Sequence, residues 1–510
     1  MVHPADEMNA TFNGNGTNGI PDPAKKKAVL SAQPSKAVGK DSQVAFYTRE
    51  GMPLRGVPMR MTRHVVVFEL YNPSAMPRLS ESLDKFTISF QERTIYSGRA
   101  IIRNTVDAGN KVVCEATLNE ADWTEVDLSL LEEQHGQIAD QFHAFMGEWQ
   151  KTYLVLPEFK VVAADMQTFF HDLRLWLEQV ELGIQSGRPP LRAKLETNLV
   201  ESLAPSVVKA VDALIDRFEF IVSKLPPESH PVFQAHLRRQ LHPYLLTSPF
   251  ANRAFNKPLG YAGDYQMVDM MLRPPEEGDD LFSKLINIWL LGQTPAQAHR
   301  NRVLHLKKRL MDEAMRAKFA NQRLQVLNLG CGPAGEIQDF LKTQEISQLV
   351  DFTLVDFNAE TLDYLRNRLM LANAGNKTGH FRMLQKSVYQ ILKDHGKGLA
   401  PLSGGKYDYI YCAGLFDYLS DNVCKQIMNI FYELLAPGGL LLATNATDAL
   451  NASRPFRYSM EYILDWHLIY RNKAQFAAVA PDSAGPDETT ISAEATGANL
   501  FLEVRKSKDA

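Results

Sequence analysis

The sequence predicts an α/β C-terminal domain on a doubly wound parallel sheet, preceded by a helical region and a small β-barrel. Three observations carry this. From Leu324 onward, strand-like and helix-like segments alternate; between Asp127 and Ala320, apolar residues recur at spacings of three and four; between Phe46 and Leu118, short β-type runs are punctuated by turn residues. The 510 residues suffice for about three domains, each with its own core. The expected division is a tail at 1–45, a barrel at 46–126, a helical linker or lid region at 127–320 and a catalytic domain at 321–510.

The tail is rich in Gly, Asn, Ala, Pro and Lys and lacks apolar periodicity, so disorder is expected. The β-type runs are His64–Tyr71, Phe86–Phe90, Thr94–Tyr96, Ala100–Ile102 and Lys111–Leu118, with turns at Asn72-Pro73, Ser97-Gly98 and Ala108-Gly109-Asn110. That spacing predicts an antiparallel barrel or sandwich. Helical periodicity follows in Leu128, Leu131, Ile138, Phe142 and Phe145, and again in Met166, Phe169, Phe170, Leu173, Trp176, Leu177 and Val180. These stripes read as helix-helix core, cut by breakers at Gly187–Pro190, Pro226-Pro227 and Pro274-Pro275.

In the last 190 residues five strand-helix units are expected. Leu324–Leu329 leads to a helix from Gly335, Asp351–Asp356 to Ala359–Ala372, and His380–Leu384 to Val388–Lys393; Tyr407–Cys412 leads to Asn422–Leu435, and Gly439–Thr444 to Met460–Tyr470. Gln475–Val479 and Leu500–Val504 have no helix between them and are expected to pair as an antiparallel edge hairpin.

Composition narrows the function classes. Lys and Arg total 55 against 59 Asp and Glu, a net charge of −4, so no strong pull toward nucleic acid or an anionic membrane is expected. Cys114, Cys331, Cys412 and Cys424 show no metal-ligand or disulfide spacing, so no metal is expected and the chain reads as reduced and cytoplasmic. The N-terminus lacks the basic and apolar regions of a signal peptide, and the apolar runs fall short of the roughly 20 residues of a membrane span.

After the first strand of the last domain stands Gly330-Cys331-Gly332-Pro333-Ala334-Gly335, a GxGxxG loop that brings backbone close under a ligand and turns helix N–H groups toward it. Asp356, 26 residues beyond Gly330, ends the second strand, where a carboxylate can accept from both ribose hydroxyls. That pair fits a nicotinamide or flavin dinucleotide as well as S-adenosylmethionine. Three further features are the antiparallel final hairpin, the run Cys412-Ala413-Gly414-Leu415-Phe416-Asp417-Tyr418-Leu419 after the fourth strand, and Pro437-Gly438-Gly439 before the fifth. Together these resemble class I S-adenosylmethionine-dependent methyltransferases, with a Rossmann-like seven-stranded domain. The resemblance implies cofactor contacts at Gly330, Cys331, Gly332 and Gly335, a ribose ligand in Asp356 followed by Phe357, an adenine side at Ser387 and Val388, and further contacts at Ala413 and Gly414. Many relatives carry an acidic residue at the adenine side, where this chain has Lys386-Ser387-Val388.

A second resemblance rests on His242–Phe250, Asn256–Asp264 and Met460–Arg471, which look like bacterial proteins of 3-hydroxypalmitic acid methyl ester biosynthesis, makers of an extracellular quorum signal. It implies carboxyl O-methylation of a hydroxy fatty acid. The chemistry agrees: carboxylate and sulfonium charges cancel in the displacement, so the site must align and desolvate rather than supply a strong base. A cationic or hydrogen-bonding clamp is then expected, and Arg300, Arg302, Arg454, Arg457, Arg471 and Tyr261 are available. The catalytic candidates are Tyr261, His467 and Arg471, with His467 a general base if the acceptor is a hydroxyl. The glycine-bearing loop Lys257–Asp264 reads equally as a lid over the cofactor or as a structural turn. O- or N-methylation of another small molecule, or a regulatory protein whose methyltransferase fold only binds cofactor, are the alternatives.

The N-terminal module resembles a PilZ domain through Arg55–His64, Val67–Pro73 and Ile95–Ala100. Ligand-binding members clamp cyclic di-GMP with an RxxxR arm and a [DN]xSxxG strand. Here Arg55, Arg60 and Arg63 are spaced 5 and 3, and Leu79–Asp84 lacks the final glycine. A docking or regulatory module that does not bind cyclic di-GMP is expected, and removal of residues 1–125 is expected to leave methyl transfer measurable.

Overall fold

In the computed structural model the described residues are 42–48, 53–71, 77–90, 93–107, 111–124, 143, 146–147, 155–185, 189–372, 380–400, 402, 405–447 and 456–508. Six antiparallel strands, β1 (Ser42–Tyr47), β2 (Pro53–Met61), β3 (Val65–Tyr71), β4 (Ser82–Phe90), β5 (Arg93–Asp107) and β6 (Lys111–Leu118), close into a barrel in the order β1-β2-β3-β6-β5-β4. Alternation builds its core: Val44, Phe46, Phe68, Phe86, Ile88 and Ile102 point inward, with the Phe46, Phe68 and Phe86 ring centroids 5.6–5.7 Å apart.

The barrel departs from expectation in three places. β1 starts at Ser42, inside the segment expected to be disordered; the rest of that segment, 1–41, lies outside the described residues. β2 escapes a hydropathy reading because its inward positions Leu54, Gly56 and Pro58 include only one large apolar side chain, while Arg55, Val57 and Met59 face outward. The runs at 94–96 and 100–102 are one strand, β5. Ser97 and Gly98 pair with Thr87 and Phe86 between two register shifts, and Gly98 is glycine because a Cβ there would fall 2.2 Å from Asp122. The turns at 72–73 and 108–110, and Leu128, Leu131, Ile138, Phe142 and Phe145, lie outside the described residues.

Among the described residues the helices that follow include α1 (Pro157–Gln185), α2 (Pro189–Val222), α3 (His230–Leu245), α4 (Pro249–Asn256), α5 (Tyr265–Met270), α6 (Leu281–Gly292) and α7 (Thr294–Phe319). The breakers Pro226-Pro227 and Pro274-Pro275 fall between helices, while Pro189 and Pro190 open α2. Met166, Phe170 and Leu177 of α1 join Val211, Ile215 and Phe218 of α2 and Leu285 and Trp289 of α6 in one core, with Phe169, Leu173 and Val180 at its edge. Trp176 does not join it; at 48% exposure it lies on the outer face of α1.

The C-terminal sheet is mixed and seven-stranded: β7 (Leu324–Leu329), β8 (Val350–Asp356), β9 (His380–Gln385), β10 (Tyr407–Cys412), β11 (Leu435–Ala446), β12 (Thr489–Ala493) and β13 (Asn499–Arg505), in the order β12-β13-β11-β10-β7-β8-β9. β11, β10, β7, β8 and β9 run parallel; β13 is antiparallel to β11 and β12 to β13. Helices α8 (Gly335–Thr343), α9 (Ala359–Ala372), α10 (Val388–Gly396) and α11 (Asp421–Leu434) connect the parallel strands, and α12 (Arg457–Ile463) and α13 (Lys473–Ala477) follow β11. The final hairpin has a different first strand from the one expected. Gln475 is the N3 partner of Asn472 in a reciprocal helix cap, and Phe476 and Val479 bury one helical face, so this segment is helical and β12 pairs with β13. The helix expected over Met460–Tyr470 stops at Ile463, before Asp465 turns the backbone at φ 52°. No helix among the described residues is long and apolar enough to cross a membrane.

Candidate active site

The chain order reverses between β7 and β10, and the crevice outside the carboxyl ends of such strands is where an open α/β sheet receives ligands. The glycine loop lies there. Gly330 N and Cys331 N donate to Val355 O at 2.8 and 3.1 Å, drawing the loop across the end of β8 before α8 begins. Gly332 sits at φ 51°, and a Cβ on it would meet no protein atom within 4 Å; it would project into the cavity. Asp356 braces the loop: Oδ2 accepts from Gly332 N at 3.2 Å and Oδ1 from Asn358 N at 3.0 Å. Phe357, next in sequence, meets Tyr261 edge to face at 5.2 Å and the Arg78 guanidinium over its ring at 4.4 Å.

Lys386, Ser387 and Val388 continue the wall, with Ser387 capping α10 reciprocally with Gln390. Beyond β10, Ala413 and Gly414 line the other end; Gly414 has φ 80° and its N donates to Thr444 Oγ1 at 3.0 Å. Arg302 of α7 lies against it, so that a Cβ at Gly414 would come within 2.9 Å of Arg302 Nη2. Arg302 donates from Nη2 to His299 Nδ1 at 2.8 Å. Two carboxylates also face this end: Glu336 accepts from the Tyr411 hydroxyl at 2.7 Å and Asp417 from Ala446 N at 2.6 Å. Burial raises both above the ordinary carboxylate range, while nearby Arg302 opposes the rise. The rest of the wall is mainly apolar, including Leu79, Met271, Leu272, Val303 and Met460.

A glycine that leaves room where a side chain would intrude, a carboxylate at the next strand end, and an aromatic ring beside it fit a nucleoside carrying an amino-acid tail. Residues 327–441 match the family model of a methyltransferase domain. The chain carries a methyltransferase domain over these residues. No curated protein matches the chain. Among solved structures it is similar to a possible exported protein from Bordetella parapertussis, at 16% identity over 60% of this chain and 97% of that one, TM-score 0.40. It is also similar to magnesium protoporphyrin IX methyltransferase from Synechocystis PCC 6803 with bound S-adenosylmethionine (14% identity, 42% and 82% covered, TM-score 0.28). The N-methyltransferase NodS from Bradyrhizobium japonicum WM9 in complex with S-adenosylhomocysteine is a third (15%, 48% and 97%, TM-score 0.28).

Within the methyltransferase cavity the structure brings together Gly330, Cys331, Gly332, Gly335, Asp356, Phe357, Ser387, Val388, Ala413, Gly414 and Tyr261. It leaves two of the catalytic candidates outside. His467 is not on the helix expected for it but in the segment after α12; its ring bonds Asp465 through Nε2 at 3.2 Å, and its backbone N donates to Ser80 Oγ at 2.7 Å. Arg471 is buried and committed to Asp421, Asn445 and the carbonyls of Phe416 and Leu419. Of the other arginines, Arg300 holds the Met271 and Leu291 carbonyls and Arg457 pairs with Glu461, while Arg454 lies outside the described residues. Sequence reasoning missed His299, Glu336 and Asp417 as wall residues. The last two had a signal, since Glu336 directly follows the glycine loop and Asp417 lies five residues after β10.

Arg78 and Leu79 had none, because they come from the barrel. The corner before β4 docks on the methyltransferase wall: the Ser80 hydroxyl donates to His467 O at 3.0 Å, Ser82 N donates to Gly260 O at 2.8 Å, and Arg99 donates to Phe255 O at 2.6 Å. Ser80 adopts φ 59°, an uncommon conformation for a residue with a side chain, and is fully buried. Arg78 and Leu79 thus form part of the cavity wall, and Ser80 and Ser82 anchor the corner that carries them. Arg55, Arg60 and Arg63 are exposed along β2 and the turn after it.

Proposed function

We propose that the chain methylates the carboxylate of a hydroxy fatty acid, giving a methyl ester. One observation supports this most: the far end of the cavity presents a guanidinium, with Glu336 and Asp417 nearby and an otherwise mainly apolar wall, while the groups that could act as bases are engaged or elsewhere. Glu336 and Asp417 accept hydrogen bonds from Tyr411 and Ala446, His299 Nδ1 accepts from Arg302, and His467 lies outside the cavity. A carboxylate is already nucleophilic at pH 7 and needs orientation and exclusion of water, whereas an alcohol needs a base.

When bound, S-adenosylmethionine supplies an electrophilic methyl group on a sulfonium. The Gly330–Gly332 backbone and Asp356 hold the nucleoside end, Phe357 and Tyr261 close over it, and the apolar wall from Leu79, Met271, Leu272 and Met460 keeps water from the reacting pair. Cyclic di-GMP takes no part in this reading. The test is transfer of labelled methyl from S-adenosylmethionine to 3-hydroxypalmitate, the corresponding diol, and palmitate. Label in an ester that base hydrolyses, with a rate flat above the substrate's own pKa, is expected. Label in a base-stable ether, or a rate falling around pH 6.5, would replace esterification by hydroxyl methylation.

A further inference from the structure

Arg302 differs from Arg300, Arg457 and Arg471 in its partners. Among the described residues it has no carboxylate within ion-pair distance, and its hydrogen-bond acceptor is an imidazole; Arg300, Arg457 and Arg471 are all satisfied by carbonyls or carboxylates. A guanidinium has five donors in a planar fork shaped for a carboxylate. Arg302 therefore faces the cavity with most of that fork unused by protein acceptors, at the ends of β10 and β11.

The residue that holds it is also informative. Since Arg302 donates to His299 Nδ1, the imidazole proton is on Nε2, and that buried N–H has no partner. Burial, reinforced by Arg302 and Arg300, keeps His299 well below the ordinary imidazole range, hence neutral and able to accept. Two more buried polar atoms lack partners: the Asn499 Oδ1, on a residue that lines the cavity with His299, and the Tyr470 hydroxyl, on a ring that packs against Ala298 and Ala498. Buried polar atoms are normally paired, and His299 Nε2 and Asn499 Oδ1, on residues that line the same cavity as the anion-shaped fork of Arg302, mark a place built for a polar ligand group.

We propose that Arg302, positioned by neutral His299, binds a ligand carboxylate, and that the unpaired polar atoms of the same cavity wall serve a hydrogen-bonding substituent carried near that carboxylate. Two sources share this chemistry: the amino-acid end of the cofactor and a hydroxy-acid acceptor. Only the second rests on the function proposed above.

The experiment uses the full chain and calorimetry with two pairs of probes, each differing in the carboxylate: S-adenosylhomocysteine against 5′-methylthioadenosine, and 3-hydroxypalmitate against its methyl ester in the presence of S-adenosylhomocysteine. Arg302→Gln should weaken one carboxylate-bearing probe about 10- to 150-fold and leave its carboxylate-free partner unchanged. Loss in the first pair assigns Arg302 to the cofactor; loss in the second assigns it to the acceptor. Arg302→Lys, a milder change, should give a smaller loss in the same pair. His299→Asn, which can still offer an acceptor near the Nδ1 position, should retain more of that selectivity than His299→Leu. No carboxylate-selective loss in either pair, or an equal loss for all four probes, overturns the proposal.

Discussion

Gly332 separates the needs of the fold from those of the ligand. At φ 51° an alanine there carries the left-handed penalty of about 1–2 kcal/mol, but its Cβ would meet no protein atom within 4 Å, so no steric cost is added. The Gly332→Ala chain should therefore stay folded, with its melting temperature lowered by a few degrees. The same methyl group would stand in the path of the cofactor over the glycine loop. Overpacking of that kind costs about 1–3 kcal/mol, or a roughly 5- to 150-fold rise in Kd, and the branched side chain of Gly332→Val should abolish binding. Gly335→Ala is the contrast, because its Cβ would strike Leu272 Cδ1 at 2.7 Å, a movable side-chain end within the protein. Calorimetry with S-adenosylhomocysteine, paired with thermal melting, separates the two costs. A folded Gly332→Val chain that binds S-adenosylhomocysteine like the wild type would refute the placement of the cofactor over this loop.

Asp356→Ala removes the brace on Gly332 N together with the acceptor for ribose hydroxyls, and calorimetry should show a Kd for S-adenosylhomocysteine raised about 10- to 150-fold; an unchanged Kd would exclude that role. Deletion of residues 1–125 takes Arg78 and Leu79 from the wall and the Ser80 bonds from His467, so methyl transfer should be lost, and turnover near that of the full chain would show the barrel to be dispensable. Glu219 is fully buried and accepts from Tyr458 N and Ser459 N at the start of α12; burial raises it to about 7. A carboxyl whose folded pKa lies above its unfolded value binds more protons when folded, so its contribution is intact below about pH 4.5 and is lost as pH rises toward about 7. Denaturant titrations should show a fall of about 3 kcal/mol over that window in the wild type and a flatter profile in Glu219→Gln; identical profiles would contradict the assignment.

The parallel half of the sheet was legible because β7, β8, β10 and β11 are buried on both faces and read as apolar runs, while β9, at the edge, alternates half-buried and exposed residues; Ala359–Ala372 was placed to the residue. The ligand loop was legible because glycine at 330 and 332 answers a local backbone demand. What was lost depended on contacts distant in sequence. Ser97-Gly98 looks like a turn, but it is a strand position shaped by Asp122; Gln475–Val479 looks like a strand, but a local cap at Asn472 starts a helix. His467 was placed on a helix that would have continued past Ile463. Its actual position follows from a buried carboxylate two residues before it, which no periodicity reports.

That carboxylate, Asp465, explains why the cavity wall comes from three separated stretches of chain. Its Oδ1 lies 3.0 Å from Arg238 of α3, 3.2 Å from His467 and 3.4 Å from Gln234. Burial would raise it, but Arg238, His467 and Lys257 outweigh burial and hold it well below the ordinary carboxylate range. Lys257, buried and itself lowered by burial to about 7, donates to the carbonyls of Leu464 and Asp465 and begins the loop that carries Tyr261 and Gly263 to the cavity. The same segment then carries Trp466 and Leu468 to the cavity and receives Ser80 of the barrel through the His467 backbone. Breaking a buried ion pair leaves an uncompensated charge and is far more costly than a surface change. Helix α3, the Lys257–Asp264 loop, the 464–468 segment and the barrel corner are consequently fixed by one cluster, and a cavity over a Rossmann-like sheet acquires walls that the sheet's own loops do not supply.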